Sequence, residues 1–304
     1  MEMAAKYRIP HFFGMGATEV VNEKYRSDVT RYGYWMAKGW PVPARLTSGY
    51  VDALEDAIRR GAWKPETKTA AIWGEDTDLG RSFGKGIREQ LQSASWNIVA
   101  EEYFPLMETD YYPLLRKFQD AKVVLLAGTS TSPSSISAFV KQGKEVGIRG
   151  LIIADGLGWA GEWYSLTGDA SDGVLDQIPG WASPGAREFA ERFEKRCGFK
   201  PSPSAAGLAF DYTNFAIKIA REALSKYGVI DRSTLYKVGR EELITGRLTY
   251  KDGIVMKEYR YTPESDPDPV VGDGQFMFPV LQYKSGRSRV IWPPAQKEAD
   301  LETP

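Results

Sequence analysis

A chain of 304 residues with 39 basic and 40 acidic side chains, formal charge −1, has room for two domains and none of the basic clustering that nucleic acid demands. One histidine, His11, and one cysteine, Cys197, exclude a multi-histidine zinc site and an intramolecular disulfide. A Ser-His-Asp site would have to use His11, which falls inside a strand-like run, and no apolar run approaches the ~20 residues that span a bilayer.

In chain order, Met1–Tyr7 reads as the end of an amphipathic helix and lacks the charged start, apolar core and small-residue cleavage site of a signal peptide. Ile9–Phe13 reads as a short strand, followed by Gly14-Met-Gly-Ala-Thr18. That Gly-x-Gly is not a dinucleotide loop, because Glu19 stands where the third glycine belongs. Thr30–Lys38 is aromatic and extended, and Pro41 and Pro43 lead into a helix over Thr47–Gly61.

From Thr67 to Gly158 a strand–loop–helix pattern repeats. The strands are Thr69–Trp73, Asn97–Phe104, Val123–Ala127 and Gly150–Ala154; the helices are Arg81–Gln92, Asp110–Asp120 and Ser134–Val146. Phe83, Ile87 and Leu91 recur every four residues on one helical face. Apolar strands of this kind are buried on both faces, which predicts a parallel sheet between helices in an open α/β domain. Ligands of such sheets bind outside the carboxyl ends of the strands, here the loops Gly74–Gly80, Gly128–Pro133 and Asp155–Trp159. Gly80–Gly86 fails the spacing of a phosphate loop.

Gly173–Pro179 reads as a further strand. Helices are predicted over Ala186–Lys195, Ala205–Lys226 and Ser233–Glu242, and β-like runs over Arg247–Lys251, Val255–Tyr261, Phe276–Tyr283 and Val290–Trp292. Pro263–Gly274 reads as a solvated insertion whose Asp266 and Asp268 lack calcium-loop spacing. The helices after Pro184 have apolar faces, yet outside the central repeat only Ile9–Phe13 offers a core strand for them to cover.

Several segments together carry a resemblance. They are Lys6-Tyr-Arg-Ile-Pro10 before a strand, Ala17-Thr18 after it, and Glu75-Asp-Thr-Asp-Leu-Gly-Arg-Ser82. Next come Glu108-Thr-Asp-Tyr-Tyr-Pro-Leu-Leu115, Phe139-Val-Lys-Gln142 with Val146-Gly147, Gly168-Asp-Ala-Ser-Asp-Gly173, and Phe278-Pro-Val-Leu-Gln-Tyr283 with Gly286. In this order the chain resembles the type I periplasmic binding proteins of ABC transporters, the branch that includes the leucine/isoleucine/valine-binding proteins. The resemblance implies two lobes, each an open parallel sheet with helices on both faces. Residues 1–38 and 184–275 would form the remainder of a first lobe and 39–183 a complete second lobe, with strands in 276–304 crossing to the second. Segments near Tyr34–Lys38, Gln177–Ser183 and Phe276–Val280 would be the hinge crossings. Family members carry a secretion signal and several βα units before the equivalent of Tyr7, so the first lobe is expected to be incomplete here. The resemblance places the protein in the periplasm or outside the cell, with a membrane permease as partner.

It also implies a non-catalytic, cofactor-free function: capture of a small amino acid or related carboxylate by hinge closure. Gly16, Ala17 and Thr18 would clamp the carboxylate, Thr129, Ser130, Thr131, Asp155 and Trp159 would line the site, and Asp172 would pair with the ammonium. Each has a plainer reading: Thr18 as a helix cap, Asp172 as a turn residue, the hydroxyls as loop caps, Trp159 and Trp163 as core, and Asp76 and Asp78 as caps of the helix at Gly80. Rival functions are a ligand sensor of the same fold and a metal-assisted α/β enzyme using Asp76, Asp78 or Asp155. If Phe189, Phe193, Phe210, Phe215 and Ile219 lack a sheet to cover, the apolar stripe they form predicts a dimeric, aggregated or partly unfolded chain that binds ligand poorly.

Overall fold

The computed structural model describes residues 1–160, 163–180, 184–272 and 274–303. In chain order the elements begin with α1 (Glu2–Tyr7), β1 (His11–Phe12), α2 (Glu19–Ser27), α3 (Val29–Tyr32) and β2 (Trp35–Met36). They continue with α4 (Pro43–Leu46), α5 (Ser48–Arg59), β3 (Thr69–Glu75), α6 (Asp78–Ser93), β4 (Asn97–Phe104), α7 (Tyr112–Asp120) and β5 (Leu125–Thr129). Next are α8 (Pro133–Val146), β6 (Leu151–Asp155), α9 (Trp163–Thr167), β7 (Leu175–Gln177), α10 (Pro184–Cys197) and α11 (Leu208–Tyr227). The last are α12 (Arg232–Val238), β8 (Val280–Lys284) and β9 (Arg287–Trp292). The chain divides into two compact units: Met1–Val42 with Pro179–Met277, and Pro43–Ile178 with Phe278–Pro304.

The second of these units is built on a seven-stranded sheet in the order β4-β3-β5-β6-β7-β8-β9. The first five strands run parallel, and β8 and β9 join antiparallel. Alternate residues of each core strand face opposite ways, and both faces are apolar. Ala70, Ile72, Leu125, Ala127, Leu151 and Ile153 meet Leu54 of α5 and Phe83, Ile87 and Leu91 of α6. Ala71, Trp73, Leu126 and Ala154 meet Leu115 and Phe118 of α7 and Ile136, Phe139 and Val140 of α8. Trp73 lies flat on Phe139, ring centroids 3.7 Å apart. Burial on both faces explains the missing polar alternation. The sheet departs from an all-parallel one because β8 and β9 return as a hairpin beside β7 and fill its free edge.

The other unit holds a two-stranded parallel pair, β1 with β2, among its described residues. Phe13 stacks on Tyr212 and Phe215 of α11 at 4.8 and 5.1 Å, and Phe215 also stacks on Tyr250 at 5.6 Å. Three expectations are corrected here. Thr30–Lys38 is not extended throughout, because α3 occupies its start under an Asp28 cap. Arg247–Lys251 and Val255–Tyr261 meet in one antiparallel bridge, Tyr250 with Tyr259. Asp211 contributes to this: its carboxylate accepts the backbone N–H groups of Ile254 and Val255 at 2.8 and 3.0 Å, taking those two donors from any ladder, and it also accepts the Tyr259 hydroxyl at 2.6 Å. The Pro263–Gly274 loop is not solvated throughout: Asp268 is fully buried and pairs with the fully buried Lys38 ammonium at 2.8 Å. Lys38 also donates to Asn22 Oδ1 at 2.7 Å, which satisfies a charge that burial would otherwise forbid.

The apolar stripe on α11 is divided. Phe215 and Ile219 are fully buried within their own unit, whereas Phe210, Ile217 and Leu224, spaced by seven residues, remain 42, 45 and 50% exposed.

Candidate functional site

The carboxyl ends of β3, β5 and β6 are in register: Gly74 pairs with Thr129, and Thr129 with Asp155. Their loops are bound to one another by side chains. Glu75, nearly buried, accepts the Thr77 hydroxyl at 2.7 Å on one oxygen and both the N–H and hydroxyl of Thr131, at 2.6 and 2.8 Å, on the other. This carboxylate ties the loop after β5 to the loop after β3. Thr129 is buried and donates to the Asp155 carbonyl at 2.8 Å, and Ser130 accepts the Ser132 N–H at 3.3 Å. Ser132 caps α8. The hydroxyls of Thr129 and Thr131 are therefore committed within the scaffold.

Asp155 ends β6 and stays partly exposed. Its Oδ1 accepts the Tyr50 hydroxyl of α5 at 2.7 Å. After it the chain makes a tight loop, with Gly156 at φ 98° and the Trp159 N–H returning to the Gly156 carbonyl at 3.1 Å. Asp176, the fully buried centre of β7, organises that loop. Its Oδ1 accepts the N–H groups of Gly156 and Gln177 at 2.8 and 2.7 Å, and its Oδ2 accepts the Gly158 N–H at 2.8 Å and the Tyr283 hydroxyl at 2.7 Å. Position 158 must be glycine, since a Cβ there would stand 2.2 Å from the Tyr283 hydroxyl. Burial, and then the charge of Asp176, push the Asp155 carboxyl up to about 8, against a smaller downward pull from the Tyr50 hydrogen bond. Burial also pushes Asp176 up, and its four donors pull it back. Two acids, two phenols and a glycine loop thus occupy one end of one sheet.

Asp172 is not at this end. It precedes β7, in a recess of about 310 Å³ lined by Lys144, Gly150, Leu151, Val174, Lys284 and Glu302, at the amino edge of β6 and β7. At about 3.3 Å per residue, the five-residue β6 sets the two edges roughly 15 Å apart. The Asp172 carboxylate accepts the Ser285 N–H at 2.7 Å and so fixes the hairpin turn between β8 and β9. Asp155, not Asp172, is the residue that shares an edge with Thr129 and Trp159. Asp76 is paired with Arg81 at 2.7 Å, and the cap of α6 is Thr77, not Asp76 or Asp78. Among the described residues no cluster of three His, Cys, Asp or Glu side chains is placed to hold a metal ion.

In the other unit, Gly14–Thr18 links β1 to α2. Thr18 caps α2, its hydroxyl accepting the Val21 N–H at 3.4 Å, as the plainer reading of that residue expects. Gly16 lies close against Val21 and Trp35, where a Cβ would sit 3.2 and 3.3 Å from their side chains. Ala17 follows it, partly exposed.

Sequence reasoning passed over Tyr50, Glu75, Asp176 and Tyr283. One signal was present: Asp176 stands inside the apolar run Val174-Leu-Asp-Gln-Ile178, and an acid in a core strand needs strong partners.

Comparison with known proteins now adds to the geometry. The sequence profile of a family described as periplasmic binding protein matches residues 2–254. A solved structure provisionally named a branched-chain amino acid ABC transporter, from Silicibacter pomeroyi, is similar at a TM-score of 0.77 and 16% identity, over 99% of this chain and 77% of that one. A branched-chain amino acid ABC transporter from Thermus thermophilus with bound valine is similar at TM-score 0.68 and 15% identity, over 95% of this chain and 73% of the other. A solute-binding protein from Rhodopseudomonas palustris BisB5 in complex with 3,4-dihydroxybenzoic acid is similar at TM-score 0.67 and 19% identity, over 94 and 71% of the two chains. At these identities the structures speak to the fold, which is the two-lobed type I binding-protein fold.

Proposed function

Since the chain belongs to the periplasmic binding protein family, we propose that it is the solute-binding component of an ABC transporter and takes up a small amino acid or related carboxylate by hinge closure. A membrane permease would receive the solute, and the protein would work outside the cytoplasm. The observation that carries the ligand class is Asp155, a partly exposed residue at the carboxyl edge of a parallel sheet, its carboxyl next to the Tyr50 phenol and a glycine loop. An acid in that setting suits an ammonium or another hydrogen-bonding group. Gly16, Ala17 and Thr18 would supply the carboxylate contacts through backbone N–H groups and the Thr18 hydroxyl. Asp172, on the far edge and engaged with Ser285, is replaced by Asp155 in this reading.

Aromatic acids are the second class, supported by the fold-neighbour in complex with a dihydroxybenzoic acid. A thermal-shift panel separates the two: aliphatic amino acids should raise the melting temperature of the chain and Asp155→Ala should abolish the rise. A rise with hydroxybenzoates alone would transfer the assignment to aromatic acids, and no rise with either set would remove both. The outward row Phe210, Ile217 and Leu224 is the surface through which self-association would run.

A further inference from the structure

Asp155 at the end of β6 and Asp176 in β7 are supported very unequally. Asp176 accepts four hydrogen bonds, three from backbone N–H groups and one from the Tyr283 phenol. Among the described residues Asp155 accepts one, from Tyr50. The groups among the described residues that hydrogen-bond the pair from neighbouring elements are Tyr50 from α5 and Tyr283 from β8, and none of those residues forms a salt bridge with either acid. Asp176 accepts the N–H of Gly156, the residue after Asp155, at 2.8 Å. Two neighbouring carboxyls with no salt-bridge partner do not both ionise readily, and the proton goes to the one with fewer donors. Four donors cannot be kept by a protonated Asp176 without loss, whereas Asp155 keeps its single donor and gains an O–H of its own.

We propose that Asp155 and Asp176 are a specificity-determining pair in which Asp176 stays ionised and positions the Gly156–Gly158 loop, while Asp155 holds a proton that it surrenders to water when a ligand ammonium binds. The proposal rests on the functional reading above. The ammonium then donates to the freed Asp155 carboxylate, and a ligand without an amine meets a protonated Asp155 that donates to it instead. The direction of the Asp155 shift, upward through burial and the neighbouring charge, agrees with this geometry. One site thereby treats an amino acid and its deaminated analogue differently as pH changes.

Two measurements on the full chain test it. Infrared difference spectra, wild type minus Asp155→Asn, should show the carbonyl band of a protonated carboxyl near neutral pH that fades as pH rises through about 8. Absence of that band at about pH 6 overturns the proposal whatever the ligand is. Calorimetry with leucine in buffers of different ionisation heat should show close to one proton released per ligand at about pH 6, with affinity rising up to tenfold per pH unit and levelling at alkaline pH. 4-Methylpentanoate should release none. Leucine binding without proton release overturns the proposal; a band at about pH 6 in a chain that no amino acid binds at any pH overturns the functional reading and, with it, the role of the pair in specificity.

Discussion

At the scale of single residues, the carboxyl pair makes stability depend on pH. The folded Asp155 carboxyl holds its proton well above the ordinary carboxylate range, so between about pH 4 and 8 the folded state binds more proton than the unfolded one. Stability contributed by that proton is complete at acid pH and is lost as pH rises through the folded value. Denaturant unfolding from pH 5 to 9 should show this decline, and Asp155→Asn should make it shallower. Tyr50→Phe removes the hydrogen bond that pulls the group down, so the decline should begin at the same pH and extend to a higher one. A decline as steep in Asp155→Asn as in wild type would place the titrating group elsewhere. Gly158→Ala would drive a methyl into the contact between Tyr283 and Asp176 and should cost about 1–3 kcal/mol by equilibrium unfolding. No loss would mean the loop tolerates a wider turn than its geometry shows.

At the scale of elements, legibility followed locality. The run Asn97–Phe104 was expected as a strand at those limits, and Arg81–Gln92 lies inside α6, because apolar periodicity there reports burial by near neighbours. Val123–Ala127 was displaced by two residues to Leu125–Thr129, since an unbroken apolar run does not mark its own ends. The failures involve partners distant in sequence. Nothing near Ile254 announces that Asp211 takes its N–H, and nothing in Pro263–Gly274 announces that Lys38 waits for Asp268. The Asp155 edge was legible as a loop, but Tyr50, Asp176 and Tyr283 lie 105, 21 and 128 positions away by their numbers. The antiparallel β8 completes the sheet beside β7, and Val280, Leu281, Tyr283 and Ile291 are buried in its two cores. Residues 43–178 alone should therefore melt with low cooperativity, and joining 278–304 to them by a short linker should restore one sharp transition in calorimetry. Equal cooperativity without the hairpin would show that β7 is a sufficient edge.

At the scale of the whole molecule, the surface is not uniform. Phe210, Ile217 and Leu224 form an outward row on α11 while Phe215 and Ile219 on its other side are buried. A row of large exposed apolar side chains favours association. Sedimentation velocity should show a concentration-dependent increase in size that Ile217→Lys with Leu224→Lys diminishes; a monomer at every concentration contradicts it. In the proposed function the carboxyl edge ending in Asp155, rather than the amino edge carrying Asp172, receives the solute. Amide chemical shifts of the isotopically labelled chain during a leucine titration distinguish the two edges. Saturable shifts are expected at Gly156, Gly158 and Thr129, following a single binding curve, with Gly16 and Thr18 responding in the same titration. Shifts centred on Asp172 and Gly173, with Gly156 and Gly158 unmoved, would contradict that reading.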